Sequence, residues 1–96
     1  MELVDVIPMN GATRADVLRL AGAVEDASEH PVAQAIATAA RSELGVLPPV
    51  LGFESRPGVG VTGRVEGHTV EIGRGDGGIT VAWDGEPRAT LLSPTP

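Results

Sequence analysis

The chain has 96 residues and a formal net charge of −6, from 7 Lys+Arg against 13 Asp+Glu. That length suits one domain with a single core, and 42% hydrophobic with 21% charged residues is a globular balance rather than a disordered one. With no cysteine, disulfides, thiolate metal sites and a cysteine nucleophile are excluded, and the acidic charge with so few aromatics argues against nucleic-acid binding.

Leu3 to Ile7 alternates, predicting a short strand that ends at Pro8. Glu2 and Asp5 stand where a signal peptide would be basic, and no apolar run approaches the roughly 20 residues that span a bilayer. Asn10-Gly11 marks a turn. Thr13 with Asp16 has the form of a helix N-cap, and Val17, Leu18, Ala21 and Val24 at helical spacing predict a helix over residues 14–27. Ser28-Glu29-His30-Pro31 breaks the pattern. Pro31 suits the first turn of a second helix, with Val32, Ala33, Ile36, Ala37 and Ala40 on its apolar face and Gly45 as its stop. The two helices form a hairpin with a short polar joint.

After Pro48-Pro49 the period changes to two. Strands are predicted over residues 50–55, 61–65, 69–72, 79–83 and 88–92, with hairpin turns at Glu66-Gly67-His68 and Asp84-Gly85-Glu86-Pro87. The glycine-dense stretch from Gly73 to Gly78 is expected to turn, and Ser93-Pro94-Thr95-Pro96 to be a loose tail. The fold class is α+β: an antiparallel sheet of about five or six strands with a two-helix hairpin packed on one face. Phe53 and Trp83 are the only aromatics, so the core must be built from small side chains.

Three features carry chemistry. Glu25 and the joint at Ser28-Glu29-His30-Pro31 place a histidine between a helix end and a proline, where the backbone sets its ring orientation for hydrogen bonding or stacking on a planar ligand. Taken alone, His30 reads as a capping residue. Pro57-Gly58-Val59-Gly60 lets a backbone approach a ligand closely, or simply bends into a strand. It is neither a Walker loop, lacking Gly-Lys-Ser/Thr, nor a Rossmann fingerprint, because a strand follows it. Gly73 ends a strand beside Arg74, which reads as solvated. A metal set or a Ser28–His30 nucleophile pair is poorly supported: Glu25 and His30 are five apart, His68 is on a distant hairpin, and nothing marks an oxyanion hole.

In combination these features say more. Glu25, then Ser28-Glu29-His30-Pro31 opening a helix, then Pro57-Gly58-Val59-Gly60 before a strand, then Ile72-Gly73 closing one, resembles the nucleotide-binding (N) domain of heavy-metal-transporting, copper-type P-type ATPases. The tetrapeptide with a glutamate five residues before its histidine is specific to that family, and the pattern spans residues 17–73. The resemblance implies a single domain over residues 1–96, excised from a larger chain on the cytoplasmic side of a membrane. It implies ATP, with Mg2+ accompanying the nucleotide, bound by Glu25, His30, Gly58, Gly60, Val61 and Gly73. Glu25 would hydrogen-bond the adenine, His30 would orient or stack on it, and the glycines would admit the base, ribose and α-phosphate. The implied partners are ATP, ADP or AMP and the phosphorylation and actuator domains of the same parent chain. Nucleic acid and direct membrane contact are not expected, and a monomer is.

The resemblance assigns this chain no catalytic and no metal-ligating residue, since the DKTGT aspartate that accepts the γ-phosphate is absent. The parent would be an ATP-driven metal-cation translocase. Two departures stand out. Gly73-Arg74 replaces the usual Gly-Asn, and residues 74–78 stand where the family carries a further helix, through natural shortening or removal. A missing helix would leave apolar sheet surface exposed. Because the chain is acidic and has no lysine, recognition is expected at the adenine end, with phosphates in solvent and AMP or adenosine binding nearly as well as ATP. The alternatives are a small acidic protein-interaction domain without a ligand and, more distantly, a metal-binding or hydrolytic centre on His30.

Overall fold

The structure, a computed structural model, describes residues 5–56, 58–75 and 78–92, with only the backbone at 74 and 75. The start of the first predicted strand, Pro57 of the glycine motif, residues 76–77 of the glycine-dense stretch and the expected tail at 93–96 therefore lie outside the described residues. Strand β1 (Asp5–Pro8) leads into helix α1 (Arg14–Asp26) and helix α2 (Pro31–Leu44). Strands β2 (Leu51–Arg56), β3 (Gly60–Val65), β4 (His68–Gly75), β5 (Gly78–Trp83) and β6 (Glu86–Leu92) follow.

The helices start and stop where their sequence dictates. Thr13 Oγ1 accepts a hydrogen bond from the Asp16 amide at 3.1 Å, satisfying one of the unpaired donors of the first turn of α1. Pro31 opens α2, and the Gly45 amide closes it on the Arg41 carbonyl at 2.8 Å. The helices approach closely through small residues: a Cβ built on Gly22 would fall 2.6 Å from Ala40 Cβ. This is the small-side-chain core that the composition predicts.

The six strands form one antiparallel sheet in the order β1-β6-β5-β4-β3-β2. Glu66-Gly67 and Asp84-Gly85 have positive φ at both residues (52° and 84°, 57° and 81°), the condition for tight two-residue hairpins. Alternation then sends Val61, Val65, Val70, Ile72, Ile79, Val81, Trp83, Ala89 and Leu91 to the face covered by the helices, where all are buried. The sheet and helical hairpin are thus as the sequence predicts.

Two boundaries differ from expectation. The 73–78 stretch is mostly ladder, because the Ile72↔Val81 register continues through Arg74↔Ile79 to Gly75↔Gly78. Gly60 likewise pairs with Gly73 as the first residue of β3 rather than ending a loop. Glycine signals a turn in sequence but is accepted in a strand where two backbones run close. The face opposite the helices carries Thr62, Arg64, Thr69, Glu71 and Thr80, with Gly73 and Ala82 among them. Its centre is mostly polar, while Ile7 and Leu51 on the outer strands are exposed apolar residues on the same face, so some of the apolar exposure expected of a missing helix is present.

Candidate functional site

The joint between the helices is fixed from both sides. The Ser28 amide donates to the Glu25 carbonyl at 2.9 Å, extending the end of α1. The Ser28 hydroxyl accepts from the His30 amide at 3.2 Å, and the Ser28 carbonyl accepts from Gln34 Nε2 at 2.6 Å. His30 itself is the N-cap of α2, its Nδ1 accepting the Val32 amide at 3.2 Å. In the neutral imidazole that bond puts the proton on Nε2, leaving Nε2–H as a donor beside the groove that His30 lines.

Opposite the joint, the chain turns between β2 and β3. The Val59 amide donates to the Arg56 carbonyl at 2.9 Å, and Gly58 has φ 79° with open space around it. Gly60 has φ 152°, and a Cβ there would overlap the Ile72 carbonyl oxygen and fall 2.9 Å from Gly73 Cα. Only glycine lets β3 start this close to β4.

Between joint and turn lies a groove of about 400 Å3, with Ser28, Glu29 and His30 on one side and Ser55, Arg56, Gly58, Val59, Gly60 and Val61 on the other. That volume lies within the range of small-ligand sites. It adjoins a second hollow of about 490 Å3 on the open sheet face, which shares Arg56, Val59, Gly60 and Val61 and adds Thr62, Glu71, Gly73 and Thr80.

The structure therefore brings His30, Gly58, Gly60 and Val61 to one groove, with Gly73 paired to Gly60 in the adjoining hollow. Glu25 is not on the groove wall: it lies behind the joint in the last turn of α1, 2% exposed. His68 is elsewhere, its Nδ1 2.7 Å from Asp84 Oδ2 at the hairpin tips. Among the described residues no group of three or more His, Asp and Glu is arranged to hold a metal ion.

Two groove residues carry no sequence signal of their own. Val59, between the glycines, is an apolar side chain 65% exposed on the lip of the groove. Arg56 lies where the two hollows meet, and its nearest carboxylate is Glu54 at 3.7 Å. The one available clue is the place of Arg56 immediately before Pro57-Gly58.

The chain is similar to known proteins in sequence and in fold. Copper-transporting ATPase 1 of Rhizobium meliloti (strain 1021) is 43% identical over 72 residues, 75% of this chain and 9% of that protein. Cation-transporting P-type ATPase B of Mycobacterium bovis (strain ATCC BAA-935 / AF2122/97) is 52% identical over 61 residues, 64% of this chain and 8% of that protein. The N-domain of HMA6, a copper-transporting P-type ATPase, superposes with a TM-score of 0.80 at 27% identity, covering 93% of this chain and 94% of that one. The chain belongs to the N-domains of heavy-metal P-type ATPases.

No family model matches the chain. The catalytic domain of the CPx-ATPase CopB-B, described as changing conformation upon nucleotide binding, superposes on this N-domain with a TM-score of 0.81 at 28% identity. The match covers 98% of this chain and 38% of that one. The N-domain spans less than a tenth of the curated relatives' length. Among its described residues, no helix is long and apolar enough to cross a membrane.

Proposed function

We propose that this N-domain binds the adenine end of ATP in the groove between His30 and the 58–60 turn. In that reading it presents the γ-phosphate to an aspartate on a separate phosphorylation domain of a metal-cation-transporting parent. The supporting observation is the convergence of His30 with Gly58 and Gly60 on one groove of about 400 Å3, although the two segments are about thirty residues apart in sequence. A planar base fits such a slot. His30 offers Nε2–H at one side, while Val59 and the bare backbone of Gly58 and Gly60 offer apolar contact and close approach at the other. Gly73 extends the cradle beneath the sugar, and Val61 forms part of its floor. Glu25, in the last turn of α1, is the residue proposed to hydrogen-bond the adenine edge.

Mg2+ arrives with the nucleotide and supplies charge neutralisation at its phosphates. The residues proposed here bind and orient the base. The phosphorylation and actuator domains of the parent, on the cytoplasmic side, are the partners this role requires, and the domain acts as a monomer within that chain.

Amide NMR titration with ATP, AMP and GTP tests the reading. Shifts should cluster at His30, Gly58, Gly60 and Gly73, larger for adenine than for guanine nucleotides. A folded domain showing no shifts at millimolar ATP overturns it.

A further inference from the structure

We infer that Arg56 is the phosphate-contacting residue of this groove, so that the site prefers ATP and ADP over adenosine, in place of the near-equal binding that net charge alone leads one to expect. The inference rests on the nucleotide reading above and adds a specificity-determining residue to it.

The electrostatic problem is set by the sequence. A domain with a formal charge of −6 repels a polyphosphate, and Glu29 and Glu71 line the two hollows themselves. Without a local cation, each added phosphate would weaken binding.

Four other arginines are committed elsewhere, and Arg64 lines neither hollow. Arg14 lies 2.6 Å from Glu43, Arg41 2.5 Å from Asp26, and Arg88 3.1 Å from Glu86 with its guanidinium over Trp83. Arg19 binds both Asp16 and Glu66. Of the arginine side chains described, Arg56 alone lines the base groove, and it lines the adjoining hollow as well.

Its backbone is held while its head is free to move. The Arg56 carbonyl accepts the Val59 amide that closes the turn, and Arg56 pairs with Gly60 across β2 and β3. The side chain is 66% exposed, and its contact with Glu54 at 3.7 Å is the weak, solvent-screened kind that a phosphate displaces readily. A base held between His30 and the turn places its phosphates within reach of that guanidinium, whether they lie over Gly60 and Gly73 or extend outward. Sequence reading misses this because a lone arginine at a strand end is indistinguishable from a solvated one.

The test is calorimetric or NMR titration with adenosine, AMP, ADP and ATP at low salt, without added magnesium, on the native domain, Arg56→Gln and Arg56→Lys. Arg56→Gln should weaken ATP binding about fivefold while adenosine affinity stays within about twofold. Arg56→Lys should keep most of the ATP affinity, and 0.5 M NaCl should compress the difference between native and Gln domains. Equal loss for ATP and adenosine, or no loss for either, overturns the role of Arg56. If adenosine produces no shifts at His30 and Gly58 in the folded native domain, the base site fails and this inference fails with it.

Discussion

Gly60 and Gly73 stand directly opposite each other on β3 and β4, so tightly that a Cβ on Gly60 would lie 2.9 Å from Gly73 Cα. The pair sets how near the strands start and therefore how deep the hollow beside Arg56 is. Gly60→Ala should cost about 3 kcal/mol of stability, from the clash with Ile72 and Gly73 and the φ of 152°. Gly58→Ala meets open space and only the penalty of φ 79°, about 1 kcal/mol. Urea denaturation of both variants measures the contrast. Equal losses would mean that the close approach contributes nothing.

His30 has two separable roles. Its Nδ1 caps α2 through the Val32 amide, and its ring forms part of the groove wall. Asparagine is a good N-cap without the ring. His30→Asn should therefore stay within about 0.5 kcal/mol of native stability, whereas His30→Ala should lose about 1 kcal/mol. Both should weaken AMP binding several-fold. If His30→Asn binds AMP normally, the ring is a cap and nothing more.

How far the sequence could be read follows from what kind of signal each feature leaves. Thr13, Pro31 and Gly45 act locally, so both helices are predicted to within a residue or so of where they lie. Alternation from Val61 to Leu91 similarly settles which face is buried. The glycine stretch is read too loosely because strand pairing through Gly75↔Gly78 depends on a partner that no local signal reveals. At the site, His30 and the 58–60 glycines are visible as motifs, but their meeting across one groove belongs to tertiary structure. The burial of Glu25 and the position of Arg56 between two hollows have no periodic trace at all.

The helix pair makes its own prediction. Gly22 allows α1 to pass Ala40 of α2, with 2.6 Å between an added Cβ and Ala40 Cβ. Gly22→Ala improves helix propensity by about 1 kcal/mol yet should be destabilising by about 1 kcal/mol net, since both helices sit in a close-packed core. Ala40→Gly in the same chain relieves the clash. A double-mutant cycle should therefore give a favourable coupling of at least about 1 kcal/mol between the two positions. Strict additivity would show that the helices can part without cost.

Acid should weaken the link between the ends of the helical hairpin in a direction that the ion pair fixes. Arg14 Nε and Nη2 donate to Glu43 Oε1 and Oε2 at 3.1 and 2.6 Å, and this bonding holds the Glu43 carboxyl below its ordinary value of 4.5. A carboxylate depressed in the folded state stabilises above its unfolded pKa, and that stabilisation disappears as pH falls through the folded one. The loss therefore begins near pH 4.5 and grows downward from there, with no contribution to changes above neutrality. The side chains are 43% and 37% exposed, so solvent screening limits the effect to a few tenths of a kcal/mol. Arg14→Gln should return the Glu43 titration, followed by side-chain carboxyl NMR, to the ordinary carboxylate range. It should also flatten the corresponding part of the stability–pH curve. If Glu43 titrates identically with and without Arg14, the pair does not persist in solution.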